Sequence, residues 1–264
     1  MIILLKERSL IKVSGEDAES FLQSQFSNDV KNITEKQIQM NAYCQHQGKI
    51  ILLLWVFKKQ GSYYLSVPKE LVALLIAKLN IFKLMSKVVI EDFSEKIYQY
   101  GLINENNVNS MRIIDNLSLL TTREPLTDHH DYAYWEDACI NVSLPEIYFN
   151  MSEKLTPQAL NLDINEIGVS FSKGCYPGQE VVARMHYLGK PKRRLFRFTS
   201  QFEVFIGDNL NVKDSQSLKS SGQIIRTSKK GAEFHFLGVF DVNHTQEIIF
   251  LNNDQNKLVS IINE

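Results

Sequence analysis

Apolar positions change their period several times along the chain. Ala18, Phe21, Leu22 and Phe26 recur at helical spacing, which predicts an amphipathic helix. Ser14-Gly15-Glu16-Asp17 ahead of it has the spacing of a capping box, with Asp in place of the usual Glu or Gln. The opening therefore reads strand, strand, helix. Ile50 to Phe57 is an unbroken apolar run, read as a buried strand entered from a Gln47-Gly48 hairpin turn. Tyr63 to Val67 reads as a further strand. Pro68 then opens a helix in which Leu71, Val72, Leu75, Ile76 and Leu79 share a face. Val88 to Ile90 and Ile97 to Ile103 return to strand. Hairpins mixed with helices argue for an α+β fold over a doubly wound parallel sheet.

Beyond about residue 190 no helical period remains. Leu195 to Ile206 and Gln223 to Leu251 are rich in β-branched and aromatic residues, with turn signals at Gly207-Asp208, Ser221-Gly222 and Lys230-Gly231. This stretch reads as a small all-β, barrel-like module. A boundary near Pro191 divides the chain into residues 1–190 and 191–264.

Composition narrows the class. The 264 residues carry 29 Lys and Arg against 30 Asp and Glu, a formal net charge of −1, with 44% hydrophobic and 22% charged residues. That is a soluble globular composition, and it excludes a protein that coats nucleic acid by bulk charge. The three cysteines, Cys44, Cys139 and Cys175, form no CxxC, so neither a disulfide framework nor a local thiolate metal site is written. The longest apolar run is far short of the roughly 20 residues that span a bilayer. A reduced, cytoplasmic protein without membrane contact is expected.

The most unusual stretch is Ser172 to Arg184, where two glycines bracket Cys175 and Pro177 stands where a helix can begin. A thiol just before a helix N-terminus, with Lys173 two residues away, is placed to favour thiolate. A small buried hydrophobe in a glycine turn is the alternative. From Lys173 to Arg197 seven basic side chains (Lys173, Arg184, Lys190, Lys192, Arg193, Arg194, Arg197) face Glu180 alone, a local net of +6. Such a patch suits a polyanion, either an RNA backbone or polyglutamyl carboxylates, or is a solvated connection into the β module. Asp29 lies where the first helix runs out into a polar turn. His129-His130-Asp131 and the Cys44/His46 pair lack the count and spacing of a metal site and read as structural, so no metal ligand is assigned. No P-loop, nucleophile elbow or dinucleotide fingerprint is present.

Lys173-Gly-Cys-Tyr-Pro-Gly-Gln-Glu180 resembles the K-G-C-[FY]-x-G-Q-E signature of the YgfZ family, folate-binding relatives of the glycine-cleavage aminomethyltransferase (GcvT). Leu22-Gln-Ser-Gln-Phe-Ser-Asn-Asp29-Val30, Cys44-Gln-His-Gln-Gly48-Lys49 and Thr156-Pro-Gln-Ala-Leu-Asn-Leu162 are similar to three further blocks of that family, in the family's order. The resemblance implies a folate-binding α+β region of two subdomains followed by a C-terminal β-barrel. It implies a tetrahydrofolate-dependent accessory factor, using tetrahydrofolate or a one-carbon-substituted folate. Such a factor supports iron–sulfur cluster assembly or repair in client enzymes, including those that thiolate tRNA.

By the same resemblance Cys175, Lys173 and Asp29 carry the chemistry. Asp29, Asn141, Tyr176, Gln179, Glu180 and Arg184 contribute to folate binding. Asn141 stands where relatives carry a Glu that grips the pterin, which implies weaker or differently oriented binding. Pro177 replaces a frequent Thr, and Gln45 the usual Asp after Cys44. Two other functions compete: a folate-dependent aminomethyl or one-carbon transferase, and a module that contacts tRNA directly through the basic run.

Overall fold

A computed structural model describes residues 1–105, 107–213 and 220–262. Strands β1 (Ile2–Leu4) and β2 (Arg8–Ser14) lead into helix α1 (Ala18–Gln25). Strands β3 (Gln39–Cys44), β4 (Ile50–Lys59) and β5 (Ser62–Pro68) precede α2 (Val72–Phe82). Then come β6 (Val89–Asp92), β7 (Tyr98–Ile103), β8 (Met111–Ile114), β9 (Leu117–Thr122) and α3 (Tyr132–Asn141). After a long stretch holding only short 3-10 turns, α4 (Gln179–Leu188) leads into β10 (Arg193–Ser200). The chain closes with β11 (Asn209–Val212), β12 (Ser220–Lys230), β13 (Glu233–Asp241), β14 (Ile249–Leu251) and β15 (Asp254–Ile261). The fold is α+β. One sheet has the order β3-β4-β5-β2-β6, a second β1-β7-β9-β8, and the last six strands form a closed barrel, β10-β13-β12-β11-β14-β15. No described helix is long and apolar enough to cross a membrane.

Strand β4 explains its own unbroken apolar run. Leu52, Leu54 and Val56 face one core with α1 and α2, while Leu53, Trp55 and Phe57 face a second core that reaches into the barrel wall at Leu195, Ile225 and Leu237. A strand covered on both faces has no polar side to alternate with. The barrel fills its own interior around Phe198, Phe236 and Phe240. It is tied to α3 by Arg226, whose guanidinium donates to both carboxylate oxygens of Glu136 at 2.7 and 3.1 Å and to the Leu144 carbonyl at 2.9 Å. On the other side of the core Arg8 stacks on Trp55 with 3.6 Å between guanidinium and ring centroid, donates to Ser66 and pairs with Glu146.

Four sequence readings shift at this level. The capping box does not form: Ser14 ends β2, Asp17 makes no side-chain cap, and its Oδ2 instead accepts from the Lys87 amide. That switch follows from Gly15, at φ +119°, whose backbone lies hard against the Lys87 carbonyl and draws the segment together. Phe26 is the extended residue after α1 and not part of its face; it bridges to Tyr43 instead. Ser221-Gly222 is not a turn but the interior of β12, where a Cβ on Gly222 would lie 2.4 Å from the Val239 carbonyl oxygen, so the glycine serves close strand approach. Finally α4 begins at Gln179, past Pro177, because Gly178 adopts φ +82° as its N-cap.

Candidate functional site

Buried hydrogen bonds set the polar turn after α1. Ser27 Oγ donates to the Gly168 carbonyl at 2.6 Å, and the Ser170 amide donates back to the Ser27 carbonyl at 3.0 Å. Asn28 Nδ2 donates to the Met40 carbonyl at 3.1 Å, and Asn28 Oδ1 accepts from the Asp29 amide at 2.8 Å. Segment 27–29 is thereby stitched between β3 and segment 168–170, which delivers the chain directly to Lys173.

Asp29 caps the short turn Val30–Asn32, accepting from the Lys31 amide at 3.2 Å. Gln23, from α1, reaches across to hold it: Nε2 donates to Asp29 Oδ1 at 2.9 Å while Oε1 accepts from the Val30 amide at 2.8 Å. Lys173 comes from the other side. Its side chain is 7% exposed, and its ammonium donates to the carbonyls of Gln23 and Phe26 at the C-terminal end of α1. Those are carbonyls without helical partners, at the negative end of the helix. Burial pushes Lys173 down to about 8, while the charges of Asp29 and Cys175 oppose the fall. Of the three residues that sequence reading assigned to the chemistry, Asp29 and Cys175 thus act on Lys173 through charge and not through a hydrogen bond or ion pair among the described contacts.

The loop that carries Cys175 rests on a crossing of two glycines. A Cβ on Gly178 would lie 2.5 Å from the Gln45 carbonyl oxygen and 2.8 Å from Gly48 Cα. Gly48, at φ +74°, lies against Val181 in turn. Below, Gln158 Nε2 donates to the Val182 carbonyl of α4 at 2.8 Å, and Arg194 donates to the Gln158 carbonyl at 2.9 Å. All four sequence blocks therefore belong to one unit. Tyr176 is buried under the Lys173 ammonium, which lies 5.1 Å from its ring centroid. Cys44 is buried and pushed up to about 12 by burial, as is Cys139, whereas Cys175 is exposed.

A cavity of about 510 Å³ opens beside Asp29, within the usual size of small-molecule sites. Ser172, Gln39, Arg112, Glu166 and aliphatic groups including Ile33 and Ile114 line it with Asp29. Of the six residues expected to bind folate, only Asp29 lines this cavity. Glu180 and Arg184 are exposed on α4, and Gln179 is its first residue. Asn141 ends α3, donating to Asp137 at 3.1 Å while its carbonyl accepts from Arg197 at 3.0 Å. Sequence reading did not single out Gln23, Arg112 or Glu166. Gln23 was legible as part of the block that ends in Asp29, whereas Arg112 and Glu166 sit in segments with no local signal. The basic run is also divided by the fold: Lys173 is buried, and Arg194 forms a two-pronged ion pair with Asp163 at 2.5 and 3.0 Å. Arg184, Lys190, Lys192 and Arg193 remain exposed. Asp131 caps α3, and His46 is exposed while Cys44 is buried. Among the described residues no group of three metal-ligating side chains occurs.

No family model matches the chain. A protein of Haemophilus influenzae, described as uncharacterized, is 33% identical over 233 aligned positions, covering 84% of this chain and 82% of its own length. The tRNA-modifying protein YgfZ of Colwellia psychrerythraea is 30% identical over 261 aligned positions, covering 85% of this chain and 80% of its own. The chain belongs to the YgfZ family. The YgfZ protein of Aliivibrio fischeri (strain ES114) extends the similarity to 95% of this chain at 27% identity. In structure the chain is similar to the glycine-cleavage aminomethyltransferase T of Bartonella henselae, with a TM-score of 0.69 over 100% of this chain and 84% of that one. At 13% identity this shows a shared fold, the GcvT-like fold expected of a YgfZ protein.

Proposed function

We propose that this YgfZ protein is a tetrahydrofolate-binding accessory factor. It would support iron–sulfur cluster assembly or repair in client enzymes, tRNA-thiolating enzymes among them, through Cys175. One observation carries the reading. A buried lysine, fixed on the carbonyls at the end of α1, feels both the Asp29 carboxylate at a cavity and an exposed thiol.

The residues around that cavity fit a reduced folate. Asp29 and Glu166 offer carboxylates to an aminopyrimidine edge, Arg112 offers a guanidinium to a glutamate tail, and Ile33 and Ile114 offer apolar wall to a ring. When bound, a reduced folate supplies nitrogens able to carry a one-carbon unit. Lys173, near half-protonation at about pH 8, can take up or return a proton as Cys175 Sγ reacts. Gln23 holds both groups, its side chain donating to Asp29 and its carbonyl accepting from the Lys173 ammonium, so the carboxylate beside the ligand and the ammonium stay in fixed relation. Cys175, exposed on its glycine-bracketed loop, is open to a client's sulfur, iron or electrophilic carbon. The name tRNA-modifying carried by the relatives agrees with clients that act on tRNA. Direct RNA binding loses support from the burial of Lys173 and the pairing of Arg194 with Asp163.

Anaerobic calorimetric titration with tetrahydrofolate tests the first half. Saturable binding that Asp29→Ala weakens is expected, and heat-free mixing up to millimolar folate would sink it. Restoring tRNA thiolation in cells lacking the protein tests the second half. The wild type is expected to restore it and Cys175→Ser to fail, with both variants checked for native circular dichroism.

A further inference from the structure

A second concave site lies between the two sheets, sharing no lining residue with the Asp29 cavity. Its volume is about 650 Å³, and its floor is aromatic. Phe57 stacks on Tyr64 at 5.3 Å with the planes 10° apart, and Phe93 meets Tyr64 edge-on at 6.1 Å. This packing fixes the phenol of Tyr64, which is only 8% exposed yet lines the cavity. Its hydroxyl makes no hydrogen bond to the described residues and is open to the cavity, free to donate to a ligand there.

Three cations line the cavity, Lys59, Lys96 and Arg123, and of these Arg123 lies near enough to act on the Tyr64 hydroxyl. None forms an ion pair among the described residues, and no carboxylate lines the cavity. Glu91 lies near enough to act on the Tyr64 hydroxyl but is turned to Lys12 at 3.9 Å. The cations come from separate elements. Lys59 stands at the two-residue hairpin Gln60-Gly61, where both residues have positive φ (51° and 72°), and reaches the Thr121 hydroxyl of β9 at 3.5 Å. Lys96 lies over the Phe93 ring at 4.3 Å, in the connection from β6 to β7. Arg123 follows β9 directly. Like charges brought together from two sheets without a counterion repel one another. A concave site lined by three cations and no carboxylate favours an anion, and one with more than a single charge would engage more of them.

We infer that this cavity is a binding site for a small phosphate-bearing ligand, a phosphate or diphosphate ester. The Arg123 fork and the two ammonium groups would take the phosphoryl oxygens and the Tyr64 hydroxyl would donate to one of them. Arg123 and the lysines lie on exposed side chains, so their replacement leaves the fold untouched.

Calorimetric titration of the full-length protein with inorganic phosphate, pyrophosphate and a nucleoside diphosphate at low salt tests the site. Saturable binding is expected, tightest for a diphosphate. Arg123→Gln should weaken it at least about tenfold, and Tyr64→Phe, which keeps the ring stack, about threefold. Lys154→Gln, an exposed charge elsewhere, should leave it unchanged. A nucleoside diphosphate that binds no tighter than pyrophosphate would show the phosphates alone to be recognised, and a tighter one an added contact to the base or sugar. The inference is overturned if none of the three probes saturates, or if binding survives Arg123→Gln and Tyr64→Phe undiminished.

Discussion

Cys44 and Cys175 belong to the two chain segments that cross at Gly48 and Gly178. Cys44 ends β3 inside the main core, with its thiol pushed up to about 12 by burial, whereas Cys175 stands exposed at the head of α4. The crossing makes both environments at once. Because Gly178 has no side chain, the loop settles against Gln45 and Gly48, in the segment that follows the buried Cys44. The same contact leaves residues 174 and 175 raised above the surface, where a Cβ on Gly174 would meet nothing within 4 Å. One tight contact thus decides which thiol is structural and which is presented.

The largest expected contrast is chemical. With iodoacetamide at neutral pH, native protein should be alkylated at Cys175. Cys44 and Cys139 should react only through unfolding, slower by about a thousandfold or more at ordinary domain stability. Peptide mapping after timed quenching reads this directly, and Cys175→Ser should show no early label. Comparable early labelling of Cys44 would mean the crossing does not seal it.

Next in size is the crossing itself. Gly178→Val forces a branched side chain to φ +82° and into the Gln45 carbonyl. Left-handed backbone and overpacking together cost about 3 kcal/mol, which lowers Tm by about 6–12 °C in a chain of this size. It should also speed alkylation of Cys44. Gly174→Ala is the matched comparison, since open space surrounds it, and its stability should stay within about 0.5 kcal/mol of wild type. Two glycines that bracket one cysteine should therefore differ widely, and equal losses would refute the account.

The same crossing shows what could be read beforehand. The four sequence blocks were visible as a set, and apart from β3, which the reading passed over, the strand and helix patterns through β7 were written in local periodicity, down to the double-faced run of β4. That Gly48 and Gly178 meet was not legible, because each glycine alone signals only a turn. The burial of Lys173 was hidden for a related reason: a lysine in a basic run reads as a solvated charge, and only the fold brings the α1 carbonyls to it. Strands β8 and β9 and helix α3 escaped notice because their apolar positions are too few and too short to hold a period. The cavity beside Asp29 draws Arg112 and Glu166 from distant segments, so no spacing could name them.

The pH response of Lys173 sharpens the comparison further. Its unfolded form keeps a proton up to 10.5 but the folded form only up to about 8. Between these values the unfolded chain binds more protons, so this group adds to unfolding free energy as pH rises, and below 8 its contribution is flat. Lys173→Met removes that slope. The difference between wild type and variant in urea unfolding should grow with pH in favour of the wild type, by about 1–2 kcal/mol from pH 8 to 9.5. A difference independent of pH would mean that Lys173 is not shifted.

The smallest effect separates the two partners of that lysine. Asp29 and Cys175 both oppose the fall of the Lys173 value, with Asp29 the stronger. Asp29→Asn keeps an acceptor for Gln23 and the Lys31 amide but removes the charge. The lysine should then lose its proton at lower pH than in the wild type, and the onset of the stability rise should move down with it. Cys175→Ser should move the onset in the same direction but less far, since its contribution ranks below that of Asp29. If Asp29→Asn left the onset in place while Cys175→Ser moved it, the ammonium would answer to the thiol alone. The coupling that links the cavity to the exposed cysteine would then be lost.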